Sequence, residues 1–197
     1  MRIVAGAFKG RGLVTPKGRA TRPTAERTRE AIFNVLAHAP WAPPLEGARV
    51  IDLFAGSGAL GFEALSRGAG FALFVETDAA ARGAIRVNAE HLGVMGITRI
   101  HRRDAAALGE KPAGLGLAFD LAFLDPPYGR GLAAGALARL VEGDWLAAEA
   151  VAVAEIGADE SAPEVAGYEL LDARRYGAAQ VAFLARRWET DPPPPSS

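Results

Sequence analysis

The sequence contains no cysteine, and this absence removes several kinds of site at once. A chain without thiols forms no disulfide, holds no metal through thiolates and has no cysteine nucleophile. Histidine is almost as scarce. The three histidines, His38, His91 and His101, do not have the spacing of metal ligands. We therefore expect no metal site.

Long apolar runs are also missing. No stretch approaches the length that spans a bilayer, and the opening MRIVAGAFKGRG lacks the apolar segment of a signal peptide. We therefore expect a cytoplasmic protein that makes no membrane contact. Its 197 residues, half of them hydrophobic and 23% charged, suffice for one well-packed domain with a small appendage, and we expect a monomer.

Positive charge is concentrated at the start of the chain. Residues 1–29 carry eight basic side chains and one acidic side chain, whereas the remaining residues have a net charge of −8. The basic residues are Arg2, Lys9, Arg11, Lys17, Arg19, Arg22, Arg27 and Arg29. A basic arm on an acidic body indicates contact with phosphate, and the alternative is a solvated charged arm without a ligand.

The first 40 residues have the pattern of an extension before the main domain. Residues 2–5 and 11–14 flank a Lys9-Gly10 turn and predict a small hairpin. Thr24 is a plausible N-cap for a helix from Ala25 to His38. The main domain is expected over 45–188, and the composition of DPPPPSS predicts a disordered tail over 189–197.

Strand and helix patterns alternate from Arg49 onward and predict an α/β fold. Predicted strands cover 49–55, 71–76, 97–101, 119–125 and 150–156, and predicted helices cover 59–68, 78–92 and 131–142. Two further strands are expected after about residue 166, as a hairpin at the sheet edge. Apolar strands separated by helices form a parallel sheet covered on both faces, and such sheets bind ligands beyond the carboxyl ends of their strands.

The first strand-to-helix junction, IDLFAGSGALG, is the strongest single motif. Gly56, Gly58 and Gly61 follow the G-x-G-x-x-G spacing directly after a strand, where glycine permits a tight turn and close approach of a ligand. Glu76 ends the next strand, 20 residues after Gly56, where a carboxylate accepts hydrogen bonds from ribose hydroxyls. A nucleoside-containing cofactor is favoured over a simple glycine-rich turn.

Two aspartates bear on which cofactor this is. The motif begins with Asp52, whose carboxylate would oppose a diphosphate but suits an ammonium or sulfonium, as in S-adenosylmethionine. Asp104, after the third strand, could accept a hydrogen bond from an adenine amino group. An equally good interpretation of Asp104 is the N-cap of the AAAL segment that follows.

The glycine motif, the acidic residue after the second strand and the DPPY segment resemble the motifs of a known enzyme class. DLFAGSGALG, VETD and DPPY resemble motifs of class I S-adenosylmethionine-dependent methyltransferases, and DPPY is similar to the group that methylates exocyclic or amide nitrogens. RIVAGAFKGRGLVTPKGRATRPTAERTREAIFNVL, together with LFAGSGALGFEALSRGA, closely resembles the RsmD family of 16S rRNA (guanine(966)-N(2))-methyltransferases. The resemblance covers residues 2 to about 186, but the segment after Tyr176-Gly177 departs from the family pattern, so no role is carried over there.

The resemblance implies a Rossmann-like, mostly parallel seven-stranded sheet and methyl transfer to guanine N2 in 16S rRNA, in an assembling small subunit. It adds Phe54 to the cofactor contacts and places Arg22, Thr24 and Arg29 near the methionine end of the cofactor and the substrate entrance. Lys9, Arg11, Lys17 and Arg19 would then contact rRNA phosphates, together with Arg22 and Arg29.

The chemistry of DPPY can also be argued from its residues. The lone pair of an exocyclic base nitrogen is delocalised into the ring, and methyl transfer builds positive charge on that nitrogen. The Asp125 carboxylate and the Pro126 carbonyl could accept hydrogen bonds from the two N–H groups of this nitrogen and stabilise that charge. Pro126 and Pro127 stiffen the loop, and Tyr128 offers a face for base stacking. The alternative is a strand-terminating turn.

Two other functions remain open. One is another DPPY enzyme, acting on adenine N6 in DNA or on a protein glutamine, although no DNA target-recognition domain is evident and a basic arm suits a peptide poorly. The other is a noncatalytic RNA-binding module, which the presence of Gly56, Gly58 and Asp125 disfavours. Methylation of pyrimidine C5 through a thiolate is excluded because there is no cysteine.

Overall fold

The computed structural model of the chain describes residues 1–16 and 23–187, and the side chains of residues 23–25 are not among the parts described. Four predicted site residues fall outside this description, wholly or in their side chains: Lys17, Arg19, Arg22 and Thr24. The predicted tail over 189–197 also lies outside it.

Within the described residues, seven strands form one sheet in the order β3-β2-β1-β4-β5-β7-β6. The strands are β1 Arg49–Leu53, β2 Phe71–Val75, β3 Thr98–His101, β4 Phe119–Leu124, β5 Leu146–Gly157, β6 Tyr168–Tyr176 and β7 Ala179–Arg186. Strands β1 to β5 pair in parallel, whereas β7 pairs antiparallel with both β5 and β6. The predicted mostly parallel seven-stranded sheet with an edge hairpin is confirmed.

Four α-helices occur between residues 23 and 187. They are α1 Pro23–His38, α2 Ala59–Ser66, α3 Ala79–Leu92 and α4 Leu132–Glu142. Because α1 begins at Pro23, Thr24 lies in the first helical turn and not at the predicted N-cap; proline suits that turn because its missing N–H needs no partner there. None of the helices in the described chain is long and apolar enough to cross a membrane.

The core lies on both faces of the sheet, because alternate strand residues point to opposite sides. On one face, Phe33 of α1, Phe62 of α2 and Ile85 of α3 belong to the same buried cluster. On the other face, Leu137 of α4 packs in a second cluster with Trp145. The sheet is therefore covered on both sides, and its strand ends are left to form a site.

Residues 1–13 form a paired loop that docks on α2. An isolated antiparallel bridge joins Arg2 to Gly12, and the Ile3 N–H donates to the Arg11 carbonyl at 2.9 Å. The two segments of the predicted hairpin therefore pair as expected, but through a single bridge and not as regular strands. Gly6 has a φ of 83°, and a Cβ there would lie 1.9 Å from the Ser66 carbonyl oxygen, so only glycine allows this close docking.

Candidate active site

Three carboxylates stand at the carboxyl ends of adjacent parallel strands. Asp52 is near the end of β1, and Glu76 and Asp125 directly follow β2 and β4. The strand register places Glu76 and Asp125 at the same level on either side of β1. The sequence-predicted candidates thus converge at the edge where parallel sheets bind ligands.

The loop between β1 and α2 depends on glycine. Gly56 and Gly58 have φ angles of 57° and 79°, in the left-handed region that glycine adopts without strain. Gly58 is the residue from which α2 begins, and a Cβ there would lie 2.7 Å from the Phe62 ring. Phe54 also has a positive φ, 58°, which is unusual for a bulky residue and costs strain. The predicted tight turn is confirmed.

Asp52 ties this loop to the sheet. Its Oδ2 accepts the Gly61 N–H at 3.0 Å, and its side chain is buried. Burial raises the pKa of Asp52 well above its usual range; the Gly61 hydrogen bond opposes the shift, and the nearby charges of Asp125 and Glu76 add to it. A Cβ at Gly61 would lie 2.4 Å from the Phe74 ring, so glycine is needed for this contact. Contact of Asp52 with a cationic ligand stays a prediction.

Glu76 connects the glycine loop to the start of α3. Its Oε2 accepts the Gly56 N–H at 2.8 Å, and its Oε1 accepts the Asp78 N–H at 2.8 Å. Asp78 in turn caps α3 by accepting the Ala81 N–H at 2.7 Å. The 20-residue spacing seen in the sequence therefore corresponds to a direct contact between the acidic residue and the first glycine.

Asp104 has the capping role that the sequence left open. Its Oδ1 accepts the Ala106 N–H at 2.9 Å, at the start of a short 3-10 turn over Ala105–Ala107. Such a cap uses one carboxylate oxygen, so a hydrogen bond to an adenine amino group is compatible with it. That contact stays a prediction.

The segment DPPY leaves the sheet at an open edge. Asp125, Pro127 and Tyr128 are exposed, whereas Pro126 is buried. The Tyr128 hydroxyl donates to Oε1 of Glu155 on β5. Burial raises the pKa of Glu155, and the hydrogen bond from Tyr128 opposes the shift. Glu155 is not recognisable as a site residue from sequence, because the register of β5 beside β4 is not encoded in any local pattern.

Asn88 is a further residue that the sequence analysis missed. Its side chain is buried on α3, where Oδ1 accepts the Val14 N–H at 2.7 Å. Its Nδ2 donates at 3.0 Å to the carbonyls of Val14 and of Ser57 in the glycine loop. One amide therefore holds the N-terminal segment against the glycine loop.

The predicted RNA contact of Arg29 is wrong. Its side chain is only 4% exposed and lies 3.5 Å from Oε2 of Glu63, whose side chain is fully buried. Oε1 of Glu63 is also 2.9 Å from Nε of Arg67, four residues further along the chain. The two oxygens of Glu63 accept the Val4 and Ala5 N–H groups as well. Arg29 thus anchors the N-terminal segment inside the fold.

Lys9 and Arg11 are exposed, as RNA contact would require. The Arg11 guanidinium donates to the His91 carbonyl at 3.0 Å and lies 5.9 Å from the centre of the Phe8 ring. These contacts orient its side chain at the surface of α3. Contact of Lys9 and Arg11 with RNA phosphates stays a prediction.

The described residues contain no group of three or more carboxylate or histidine side chains arranged to hold a metal ion. A cavity of about 410 Å³ lies between α1 and β6, and another of about 730 Å³ lies beside the 40–48 linker and β5. Neither is lined by the strand-end carboxylates.

Comparisons with known proteins agree with this arrangement. A family model described as "Conserved hypothetical protein 95" matches residues 1–185. Ribosomal RNA small subunit methyltransferase D from Escherichia coli strain K12 is 36% identical over 183 residues, covering 93% of this chain and 87% of that protein. YlbH from Bacillus subtilis strain 168 is 35% identical over 189 residues, covering 95% and 100%.

Solved structures give the same result. The Escherichia coli protein yhhF superposes with a TM-score of 0.81 at 35% identity, covering 95% of this chain and 98% of that one. Magnesium protoporphyrin IX methyltransferase from Synechocystis PCC 6803, solved with bound S-adenosylmethionine, has a TM-score of 0.62 at 13% identity over 86% of each chain, which shows the shared fold alone. The fold is that of class I methyltransferases, and the chain belongs to the RsmD family, the family of ribosomal RNA small subunit methyltransferase D.

Proposed function

We propose that this RsmD-family protein transfers a methyl group from S-adenosylmethionine to N2 of a guanine in 16S rRNA, at position 966, in an assembling small ribosomal subunit. The observation that carries the proposal is the exposed Asp125, which follows β4 directly beside the glycine loop that follows β1. The Escherichia coli relative, named for methylation of small-subunit rRNA, supports the substrate class.

The residues at the strand ends fit this cofactor, which supplies a methyl group on a positively charged sulfur. Both Glu76 oxygens bond backbone N–H groups, and a carboxylate has lone pairs left for ribose hydroxyls. Gly56 and Gly58 take the left-handed conformation of a tight turn and carry no Cβ atom that would stand between the backbone and a ligand. The carboxyl groups of Asp52, Glu76 and Asp125 lie at the same edge of the sheet, and a cation placed there would be favoured by them and would favour the ionised form of Asp52. Phe54, Gly61, Asp104 and Thr24 complete the proposed cofactor contacts.

Asp125 and Pro126 act on the substrate amine. The carboxylate and the carbonyl accept hydrogen bonds from its two N–H groups, which turns the nitrogen lone pair toward the methyl group and stabilises the positive charge that forms during transfer. The S–CH3 bond would break as the N–CH3 bond forms, leaving a neutral thioether, and the methylated nitrogen would then lose one proton to solvent. Pro127 limits the motion of the loop, and Tyr128 stacks on the base. The chain's own residues therefore orient the nucleophile and stabilise its charge.

The basic N-terminal segment binds the RNA backbone. Lys9 and Arg11 are the exposed members within the described residues, and Lys17, Arg19 and Arg22 belong to the same proposed group. The target guanine must leave its stack to reach Asp125, which is easiest for a base in a loop. A hairpin loop in a partly assembled subunit meets this requirement.

The proposal is tested by replacing Asp125. Because its carboxylate stabilises charge that forms only during transfer, Asp125→Ala should lower the single-turnover rate by about 100–1,000-fold and leave cofactor affinity nearly unchanged. Asp125→Asn should be milder, since an amide oxygen still accepts a hydrogen bond. Rates are measured on small-subunit particles lacking the modification, and affinity for S-adenosylmethionine is measured by calorimetry, with NAD as the comparison ligand.

Mapping the methylated guanine in the same reactions tests the position. Methylation by Asp125→Ala at the wild-type rate, with its fold intact by circular dichroism, would show that the carboxylate is only a turn residue. Tight binding of NAD and none of S-adenosylmethionine would refute the cofactor. Modification at another guanine would refute position 966 alone.

A further inference from the structure

The segment after Asp125 is attached to the end of β5 at two points. We refer to residues 125–131 as the proline loop. The Tyr128 hydroxyl donates to Glu155, and the Gly129 N–H donates to Oε1 of Glu160 at 2.9 Å. Both acceptors come from one short stretch of chain, so the end of β5 and the turn after it fix the far side of the proline loop.

Glu160 is itself held in place by the turn that contains it. Its N–H donates to the Gly157 carbonyl at 3.0 Å, and the Oε1 that binds the proline loop also accepts the Gly157 N–H at 2.9 Å. A Cβ at Gly157 would lie 2.8 Å from that oxygen. Glycine at 157 therefore allows one carboxylate oxygen to join two segments of chain.

The glycines at the end of the proline loop give it little restraint of their own. Gly129 and Gly131 have φ angles of 74° and 60°, and no other atom lies within 4 Å of a Cβ built on either. Glycine has more backbone freedom than any other residue. The two prolines between Asp125 and Tyr128 restrict φ, so fixing Tyr128 and Gly129 also fixes the residues before them.

We propose, on the basis of the function proposed above, that Glu160 is a positioning residue for methyl transfer, acting through the proline loop with Glu155 as its partner. Glu160 holds Gly129 so that the Asp125 carboxylate and the Pro126 carbonyl face the amine they orient. Glu155 fixes the ring of Tyr128 against which the base stacks. Neither glutamate belongs to the glycine loop or follows β2, so their effect falls on the transfer rate and not on cofactor affinity.

The test compares Glu160→Ala and Glu160→Gln with the control Asp159→Ala. Asp159 is a neighbouring exposed residue, and its replacement removes the same charge as Glu160→Ala. A misplaced catalytic group costs up to about 100-fold in rate, so Glu160→Ala should lower the single-turnover methylation rate by about 10–100-fold. Glu160→Gln should restore most of it, because its amide oxygen accepts both N–H groups. Asp159→Ala should match wild type, and S-adenosylmethionine affinity should stay within about twofold in all three.

A second measurement does not depend on activity. Exchange of the Gly129 amide hydrogen, followed by NMR on the cofactor-free protein, should be about tenfold faster in Glu160→Ala and near wild type in Glu160→Gln. Gly157→Ala, which displaces the Glu160 carboxylate without removing it, should speed this exchange and slow methylation. It serves as the second variant should Glu160→Ala fold poorly.

The outcomes separate the two proposals. Equal methylation rates for Glu160→Ala, Asp159→Ala and an active wild-type protein would overturn the positioning role, and so would unchanged Gly129 exchange in Glu160→Ala. A rate loss that Glu160→Gln does not restore would also overturn it, because the role rests on the acceptor oxygen. An inactive wild-type protein would refute the proposed function, whereas faster Gly129 exchange in Glu160→Ala would still support the contact that holds the proline loop.

Discussion

Replacing the buried carboxylate of Glu63 with a methyl group removes four interactions from the interior. In the folded protein this carboxylate lies 2.9 Å from Arg67 and 3.5 Å from Arg29, and it accepts two N–H groups of the N-terminal segment at 2.8 and 3.0 Å. Burial lowers the pKa of Arg29, which shows that this guanidinium is costly to keep inside, and the charge of Glu63 is the main opposing cause. In Glu63→Ala, Arg29 stays buried without its main carboxylate partner.

Breaking a buried ion pair in this way costs about 3–5 kcal/mol. For a chain of this size, each kcal/mol lowers Tm by about 2–4 °C, so Glu63→Ala should melt roughly 6–20 °C below wild type. The free energy of unfolding is measured by urea titration followed by circular dichroism, together with thermal scans. The N-terminal segment should also lose amide protection at Val4 and Ala5, because both N–H groups lose their acceptor.

The matched control is Glu142→Ala, which breaks an ion pair of the same chemistry on the surface. Arg139 and Glu142 are 49% and 56% exposed, so their separation should cost less than about 1 kcal/mol. Equal unfolding free energies for Glu63→Ala and Glu142→Ala would refute the reasoning, because they would show that burial adds nothing to the ion pair of Glu63.

Two further predictions concern Gly61 and Asp52, which flank the glycine loop on α2 and β1. Gly61→Ala should cost about 1–3 kcal/mol of unfolding free energy in urea titration, because its Cβ would lie 2.4 Å from the Phe74 ring. The control is Gly83→Ala in α3, which has open space around it and should be neutral or stabilising by up to about 1 kcal/mol. Similar effects at both sites would contradict this reasoning. Burial raises the pKa of Asp52 in the folded protein above the unfolded value of about 3.9, so the fold disfavours the ionised carboxylate. The contribution of Asp52 to the free energy of unfolding therefore falls as pH rises above about 4 toward the folded pKa. Asp52→Asn has no proton to lose, so its unfolding free energy relative to wild type should increase with pH in cofactor-free protein; parallel pH curves from pH 4 to 8 would show that Asp52 is not desolvated.

The sheet was predictable because its strands are short apolar runs between helical patterns. Strands β1 to β4 end within two residues of their predicted limits. β5 begins at Leu146, four residues earlier than expected. Its first residues were not predictable as strand, because residues 147–149 are partly exposed and show no apolar pattern. Register with β4, not local composition, extends that strand.

The contact between the glycine loop and Glu76 was also predictable. The glycine spacing defines the turn, and the length of one strand-helix-strand unit places Glu76 beside Gly56. The burial of Arg29 was not. Its role depends on Glu63, which lies 34 residues further along the chain, and a count of basic residues cannot distinguish a buried guanidinium from an exposed one. Charge composition predicts surface character only where the partners are local.

The position of Asn88 in its helix does carry a sequence signal. Ile85, Ala89 and Leu92 form the buried face of α3, and Asn88 lies on the same face at helical spacing. A polar residue in an apolar stripe needs a buried partner. The partner could not be named from sequence, because Val14 is 74 residues away and is reached through its backbone.

The three hydrogen bonds of Asn88 have a thermodynamic consequence. The same amide bonds Val14, at the base of the basic segment, and Ser57, in the loop beside the cofactor site, so a displacement on one side changes the geometry available to the other. Any factor by which bound cofactor tightens RNA binding must then equal the factor by which bound RNA tightens cofactor binding, because the two paths to the ternary complex have the same total free energy. The buried carboxamide of Asn88 is thus a point through which the two sites can be coupled, and Asn88→Asp, which accepts but cannot donate, should reduce that coupling factor by the same amount whether it is measured on the cofactor or on the RNA.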